Sequence, residues 1–299
     1  MKKLAFVLAF PGQPRFENAI LSSVIGAAYG IMVAQRPLTD LSLKNLFGRH
    51  KGTHMKWTPG IIANKTVWSE GLFTLAIQAP EVSPFEPGQF LQLGIDQAEG
   101  HVHRPYSVAS PHGATLEFFI VLVEDGKLTP HLWKMQVGDA IDVSAKAAGS
   151  FTLKHCPQAS VLWLIGTGTG LAPYIAMLRT DTPWQRYNKI VLVHGVRHAT
   201  DLAYQAEMAN HKQSFGERFA YIPVISREEV EGTLQGRITT CITNGSLEKA
   251  AAQEFTSDCC VMMCGNPDML DETERLLGER GIKRHKSKDP GQIVVERYW

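Results

Sequence analysis

Cysteine is scarce in this chain of 299 residues: Cys156, Cys241, Cys259, Cys260 and Cys264 are the only five. Their number and irregular spacing exclude a disulfide framework, and without a C-x-x-C pair a structural zinc site has no anchor. Cys259 and Cys264 share the first spacing of a plant-type iron–sulfur loop, but Pro267 stands at the next ligand position, which removes that cluster. An excess of charge is lacking as well. The net is +1, too small for the basic footprint of a nucleic-acid binder. Hydrophobic residues make up 44% and charged residues 20%, a globular balance that excludes disordered and low-complexity chains. The length suits two domains.

Charge is unevenly spread. Residues 1–54 carry a net +5 and residues 55–299 a net −4. The start imitates a signal peptide, with Met1-Lys2-Lys3 before the apolar run Leu4–Phe10, but Pro11-Gly12-Gln13-Pro14 breaks it and no small-x-small cleavage site follows. A second uncharged run, Ala19–Ala34, has 16 residues interrupted by Ser22, Ser23, Gly26 and Gly30. A membrane span needs about 20. Three readings compete for residues 1–54: a marginal membrane or export segment, a partner-binding arm, or upstream sequence joined through a wrong start codon. The third is adopted because Met55 opens a region with self-sufficient patterning; export is its rival.

Two architectures follow. Ile61–Trp68, Leu72–Ala79, Gln89–Ile95, Tyr106–Ala109, Thr115–Val123 and Ala140–Val143 read as short strands punctuated by Pro, Gly and Asp, the rhythm of a small antiparallel barrel or sandwich. After Cys156 strands alternate with helices: strands Ser160–Ile165, Lys189–His194, Phe219–Ile225, Cys260–Cys264 and Val294–Tyr298, helices Ala172–Arg179, Asp201–His211 and Asp268–Arg280. That order predicts a parallel sheet with helices on both faces, whose ligands bind beyond the carboxyl ends of the strands.

The unusual residues gather at those ends. Gly166-Thr167-Gly168-Thr169-Gly170 lets a phosphate-bearing ligand approach the backbone, although it is neither a G-x-G-x-x-G fingerprint nor a Walker loop. Taken alone, a tight structural turn explains it equally well. In Arg104-Pro105-Tyr106-Ser107, a buried arginine at a strand start would fork onto a phosphate and the tyrosine would offer a stacking face. Taken alone, a surface arginine and a core tyrosine are the better reading. Asp125-Gly126-Lys127-Leu128-Thr129-Pro130 reads as a turn and helix start, with Thr129 as N-cap and Pro130 as first helical residue. Arg197, Arg227 and Arg237 lie past strands or in loops and would suit a phosphorylated nucleotide if they converge. Cys264-Gly265-Asn266-Pro267 is a sharp strand–turn–helix, and the chain closes on Tyr298-Trp299, where most termini are polar.

The ordered set Arg104-Pro105-Tyr106-Ser107, Gly166-Thr167-Gly168-Thr169-Gly170-Leu171-Ala172-Pro173, Cys264-Gly265-Asn266-Pro267 and terminal Tyr298-Trp299 resembles the ferredoxin–NADP reductases, especially the bacterial type that ends in Tyr-Trp and serves ferredoxin or flavodoxin. The resemblance covers about residues 55–299 and leaves 1–54 without a counterpart. It implies an antiparallel FAD-binding β-barrel over 55–154, then a parallel-sheet NADP-binding α/β domain over 155–299. Arg104 would meet the FAD pyrophosphate, Tyr106 would pack on the isoalloxazine and Ser107 would lie at its reactive edge. Phe119, Ile120, Val121, Lys127, Leu128 and Thr129 would continue the flavin site, Thr129 standing where serine is common, and Thr169 would reach the flavin from the second domain. Arg197 would approach the NADP pyrophosphate, and Arg227 and Arg237 would hold the 2′-phosphate. Cys264 and Gly265 would border the nicotinamide. Tyr298 would cover the flavin, and Trp299 would stack on the adenine. Ser107, Cys264 and Tyr298 would thus be the catalytic residues, with no metal.

The resemblance further implies hydride transfer from NADPH to FAD, followed by single-electron delivery to ferredoxin or flavodoxin; the protein supplies orientation and electrostatics. A cytoplasmic monomer is expected, with no nucleic-acid partner and no membrane attachment of the core. Lys283, Arg284, Lys286 and Lys288 are a candidate docking cluster for an acidic carrier. Two rivals stay open: the reductase component of an oxygenase, and a flavin-bearing redox subunit without turnover.

Overall fold

The computed structural model describes residues 55–297; the expectations for residues 1–54, Tyr298 and Trp299 lie outside them. The first half consists of strands β1 (Trp57–Ser69), β2 (Leu72–Gln78), β3 (Phe90–Gln97), β4 (Gly100–Ser107) and β5 (Thr115–Val121), a short helix α1 (Thr129–Lys134), and strand β6 (Ala140–Ser144). They form one antiparallel sheet ordered β4-β3-β6-β1-β2-β5. An antiparallel bridge between Val108 and Phe118 brings its two edges together. Alternate residues point inward, so Phe73, Leu75 and Ile77 of β2 meet Leu91, Leu93, Phe118 and Ile120 inside. Each such burial contributes about 1.5–3 kcal/mol relative to exposure.

The second half begins with β7 (Val161–Thr167). A 3₁₀ turn (Gly168–Leu171), helices α2 (Ala172–Leu178) and α3 (Asp181–Arg186), β8 (Lys189–Val196), α4 (Gln205–Phe215) and β9 (Phe219–Ile225) follow. Then come β10 (Leu234–Gln235), α5 (Ile238–Thr243), α6 (Ser246–Ala251), β11 (Cys259–Gly265), α7 (Pro267–Gly278) and β12 (Ile293–Arg297). All six strands are parallel, in the order β10-β9-β8-β7-β11-β12. The order doubles back at β7, the first strand of this half but an inner strand of its sheet, and a crevice opens at such a reversal. Leu162, Leu164, Cys260, Met262 and Cys264 join the apolar layer that contains Tyr174 and Phe119, whereas Trp163, Ile165, Val261 and Met263 pack in the layer on the other side. Among the described residues no helix is long and apolar enough to cross a membrane.

Several sequence expectations shift. The strand expected over Tyr106–Ala109 is Gly100–Ser107; its polar run concealed it, and Pro105 is tolerated because β4 is an edge of the sheet order. The helix expected from Asp201 starts at Gln205. Asp201 closes a 3₁₀ turn, and Tyr204 has a left-handed backbone with φ +59°. Short elements β10, α3, α5 and α6 carried too little periodicity to be read.

Tyr204 is held in that conformation at the contact between the two halves. Its hydroxyl lies 2.8 Å from Thr74 Oγ1, which also accepts from Trp68 Nε1 at 2.9 Å. Ser69 Oγ donates to Asp201 at 3.0 Å. Arg179, just beyond α2, binds Glu207 through Nε and a terminal nitrogen, both at 2.9 Å. Its other terminal nitrogen meets Glu117 at 2.9 Å and the Ala109 carbonyl at 3.2 Å, both in the barrel half. Arg186 ties the junction by donating to the carbonyls of Leu153, Cys156 and Pro157.

Removing Arg179 leaves two carboxylates close together and partly buried. Breaking a buried pair costs about 3–5 kcal/mol and an exposed one about 0–1. With the Arg179 side chain 26% exposed, Arg179→Ala should cost about 2 kcal/mol, measured as a lowered urea midpoint, with faster proteolysis of the junction. An unchanged midpoint would show that the bracket contributes nothing.

Candidate functional site

The carboxyl end of the parallel sheet carries one register row across four strands: Glu296 beside Cys264, Cys264 beside Gly166, and Gly166 beside His194. The row is interrupted by a residue without a side chain. The 3₁₀ turn fits into that gap: a Cβ on Gly166 would lie 3.1 Å from the Gly170 carbonyl oxygen and 3.1 Å from the Tyr174 ring. Tyr174 donates its hydroxyl to the Ile165 carbonyl at 3.0 Å, binding α2 to the sheet. Among the glycines of these strand-end loops the requirement is strictest at Gly265. Its φ is +131°, and a Cβ there would sit 2.2 Å from Thr167 Oγ1, the same oxygen that accepts from the Asn266 amide at 2.8 Å. Asn266 then caps α7 by accepting from the Met269 amide at 3.1 Å.

The barrel reaches this row through Ser107, the last residue of β4. Ser107 is 5% exposed, and its hydroxyl donates to Glu296 Oε2 at 3.1 Å. The fully buried Cys264 donates its thiol to the same oxygen at 3.8 Å. A serine from one half, a cysteine from the other and a carboxylate on the last strand therefore share one oxygen. Burial pushes the Glu296 carboxyl up to about 7, against the opposing effect of those two hydrogen bonds. Glu296 is absent from the sequence-derived set. Its signal was a lone carboxylate closing the apolar run Ile293-Val294-Val295; alternation puts it on the face of Val294, which packs against the layer that contains Cys264.

The expected residues divide into those available to a ligand and those committed to packing. Arg104 is exposed within β4, as the blander surface-arginine reading has it; its guanidinium donates to the His103 carbonyl at 2.7 Å. Tyr106 is partly covered, and burial raises its phenol to about 12 despite the opposing charge of Arg104. Phe119 stands edge-on to Tyr204 at 5.4 Å. Ile120 and Leu128 are inside the barrel core, so these three side chains belong to packing and leave only backbone for a ligand. Val121 is 41% exposed and Lys127 is exposed.

Thr129 is not the N-cap expected of it. Leu128 occupies that position, and the Thr129 hydroxyl donates to the Val123 carbonyl at 3.0 Å and accepts from its amide at 2.9 Å, which staples the preceding turn. Thr169 is half-buried in the 3₁₀ turn.

The loops that carry the three arginines are joined through their backbones. Arg197 follows β8 directly, and its carbonyl accepts from the Arg227 amide at 3.1 Å. Gly236, one residue before Arg237, donates to the Ile225 carbonyl at 2.8 Å. All three side chains are exposed at the carboxyl edge of the sheet. The lysine-rich cluster is elsewhere. Lys283 receives the Ile293 amide at the start of β12, about 13 Å of strand from its carboxyl end. Moreover, Lys283 pairs with Asp289, and Arg284 with Glu274. This cluster is therefore displaced from the site and partly neutralised.

An antiparallel barrel joined to a parallel α/β sheet, with Ser107 of the one and Cys264 of the other meeting at Glu296, is the arrangement of a nucleotide-dependent oxidoreductase. Residues 61–152 match the family described as oxidoreductase FAD-binding domain, and residues 164–275 the oxidoreductase NAD-binding domain. A flavodoxin/ferredoxin–NADP reductase of Buchnera aphidicola subsp. Baizongia pistaciae is 38% identical over 249 residues, 81% of this chain and 99% of its own. That of Escherichia coli strain K12 is 38% identical over 246 residues, with the same coverage of each chain. The crystal structure of a ferredoxin NADP+ reductase from Neisseria gonorrhoeae with bound FAD and NADP superposes with a TM-score of 0.77 at 33% identity, covering 81% of this chain and 98% of that one. The chain belongs to the flavodoxin/ferredoxin–NADP reductase family.

Its residues fit both nucleotides. Gly168 has φ +53° and a Cβ there would meet nothing within 4 Å, leaving the loop bare on one side. Arg104, Lys127, Arg197, Arg227 and Arg237 offer exposed cationic donors, the chemistry that pyrophosphate and 2′-phosphate require.

Proposed function

We propose that this chain is an FAD-dependent reductase that takes hydride from NADPH and passes electrons to ferredoxin or flavodoxin. The observation that carries the reading is the oxygen of Glu296 shared by Ser107 of the barrel and Cys264 of the sheet: two nucleotide-binding halves meet at one polar point. When bound, FAD accepts a hydride and releases electrons one at a time.

The chain's own residues bind and orient. Arg104 and Lys127 hold phosphate, Tyr106 provides a ring face, and Val121 offers an apolar contact. The bare backbone at Gly265 admits the nicotinamide beside Cys264, and Arg197, Arg227 and Arg237 fix the far end of the dinucleotide. Glu296 holds the Ser107 hydroxyl and Cys264 thiol hydrogens in place, so neither group must reorganise as charge moves nearby. The domain division that goes with this reading is a barrel over 55–154 and a nucleotide domain from 155. A monomer acting in the cytoplasm fits the same reading.

Purified protein should be yellow and release FAD on acid precipitation. It should reduce ferricyanide with NADPH and then reduce ferredoxin or flavodoxin. Release of FMN, a flavin that stays with the precipitate, or turnover confined to NADH would overturn the reading.

A further inference from the structure

His194 is a buried titratable group that the chemistry above does not use. It lies in β8 beside Gly166 and is fully buried. Its Nε2 is 3.1 Å from the Gly168 carbonyl oxygen, and its Nδ1 is 3.4 Å from the Tyr221 hydroxyl of the neighbouring strand β9. A carbonyl can only accept, so Nε2 carries the proton. Nδ1 is then the acceptor, and Tyr221 donates. One tautomer of the neutral ring satisfies both neighbours.

The charged form is disfavoured. Burial lowers the His194 pKa to about 4, outweighing the Gly168 carbonyl and the charge of Asp201, which act the other way. The ring therefore acts as a fixed hydrogen-bond donor across the neutral range.

The bond has a geometric consequence one residue further on. The Gly168 carbonyl shares a planar trans peptide with the Thr169 amide, whose N–H points opposite to the C=O. Gly168, at φ +53° with open space around its α-carbon, has no side chain to hold this peptide, and glycine is the residue freest to let it rotate. The ring of His194 adds a side-chain restraint to the i→i+3 bonding of the 3₁₀ turn.

We propose that His194 is a positioning residue for the reaction: by holding the Gly168 carbonyl, it aims the Thr169 amide away from the sheet and towards the bound nucleotides. This rests on the proposed function only in placing Thr169 beside them. Releasing the peptide should misplace a contact near the reacting atoms, which lowers kcat. The KM for NADPH should move little, because the distant arginines carry much of that binding.

Two variants and one spectroscopic measurement test this. The Nε2 amide of His194→Gln can occupy the place of the ring donor, whereas His194→Phe keeps the ring bulk and removes both bonds. His194→Phe should retain FAD but lose at least tenfold in kcat with its KM for NADPH within threefold. Its flavin difference spectrum on NADP+ titration should be altered. His194→Gln should recover most of both. Independently, ring-nitrogen NMR of the wild-type holoprotein should show the Nε2–H tautomer unchanged from pH 6 to 8.

Equal kcat in wild type and His194→Phe would overturn the proposal. So would a His194→Gln as impaired as His194→Phe at wild-type melting temperature, an Nδ1–H tautomer, or titration near pH 6.5. If His194→Phe does not fold, the tautomer and the glutamine variant decide. Failure of the wild-type protein to oxidise NADPH would instead defeat the proposed function, while the tautomer measurement would still test the Gly168 bond.

Discussion

Arg227→Ala and Arg237→Ala should each raise the KM for NADPH about ten- to hundredfold and leave that for NADH within about twofold. A charge-assisted hydrogen bond is worth about 1.5–3 kcal/mol, and each 1.4 kcal/mol is a factor of ten in affinity. Both side chains are exposed, so removing them leaves no buried charge and stability should not fall. Their positions are linked through backbone. Arg227 donates to the Arg197 carbonyl at 3.1 Å, and the Gly236 amide, next to Arg237, binds the end of β9 at 2.8 Å. Because the two guanidinium groups would share one phosphate, the double variant should lose less than the product of the single losses. Steady-state kinetics with both cofactors checks this. Equal losses for NADPH and NADH would mean that these arginines grip a part common to both, such as the pyrophosphate, and that 2′-phosphate selectivity resides elsewhere.

The architecture was legible in the sequence because its two halves obey different periods. Phe219–Ile225 matches its predicted bounds, and the other long apolar strands lie within a few residues of theirs, since a continuous buried run has few alternatives. Strand β4 was hidden because its residues Gly100–Arg104 are mostly polar, and its start depends on pairing with β3 rather than on its own composition. Glycines and arginines at strand ends pointed to the site because parallel strands place their carboxyl ends together.

Long-range pairing was not legible. Ser107 and Glu296 are 189 positions apart and meet only because the end of β4 comes against β12, which lies beside β11. A local limit explains Thr129, whose hydroxyl chose the backbone of Val123, six residues earlier, over a helix cap. Sequence chemistry allowed both, and the loop geometry decided.

Glu296 should give the reaction a pH dependence centred near 7, and Glu296→Gln should abolish it. Burial holds the carboxyl at about 7, although hydrogen bonds from Ser107 and Cys264 draw it down. Above that pH the ionised group accepts both hydrogens. Below it the proton competes with them, and the arrangement of the hydroxyl and thiol loosens. A hydrogen bond to a charged acceptor exceeds a neutral one by about 1–1.5 kcal/mol, so kcat with NADPH should rise about tenfold from pH 5.5 to 8.5. The glutamine variant, a neutral mimic of the protonated acid, should stay near the lower level throughout.

Stability should move in the opposite direction. The folded carboxyl binds its proton more tightly than the unfolded one, so its contribution is fully present below about pH 4.5 and is lost as pH rises through 7. The difference amounts to about 3 kcal/mol. Urea midpoints of wild type and Glu296→Gln should therefore diverge between pH 5 and 8, the variant being relatively more stable at the upper end. Parallel pH profiles in both measurements would show that the carboxyl does not titrate in this range, and that the oxygen shared by Ser107 and Cys264 is only a structural contact.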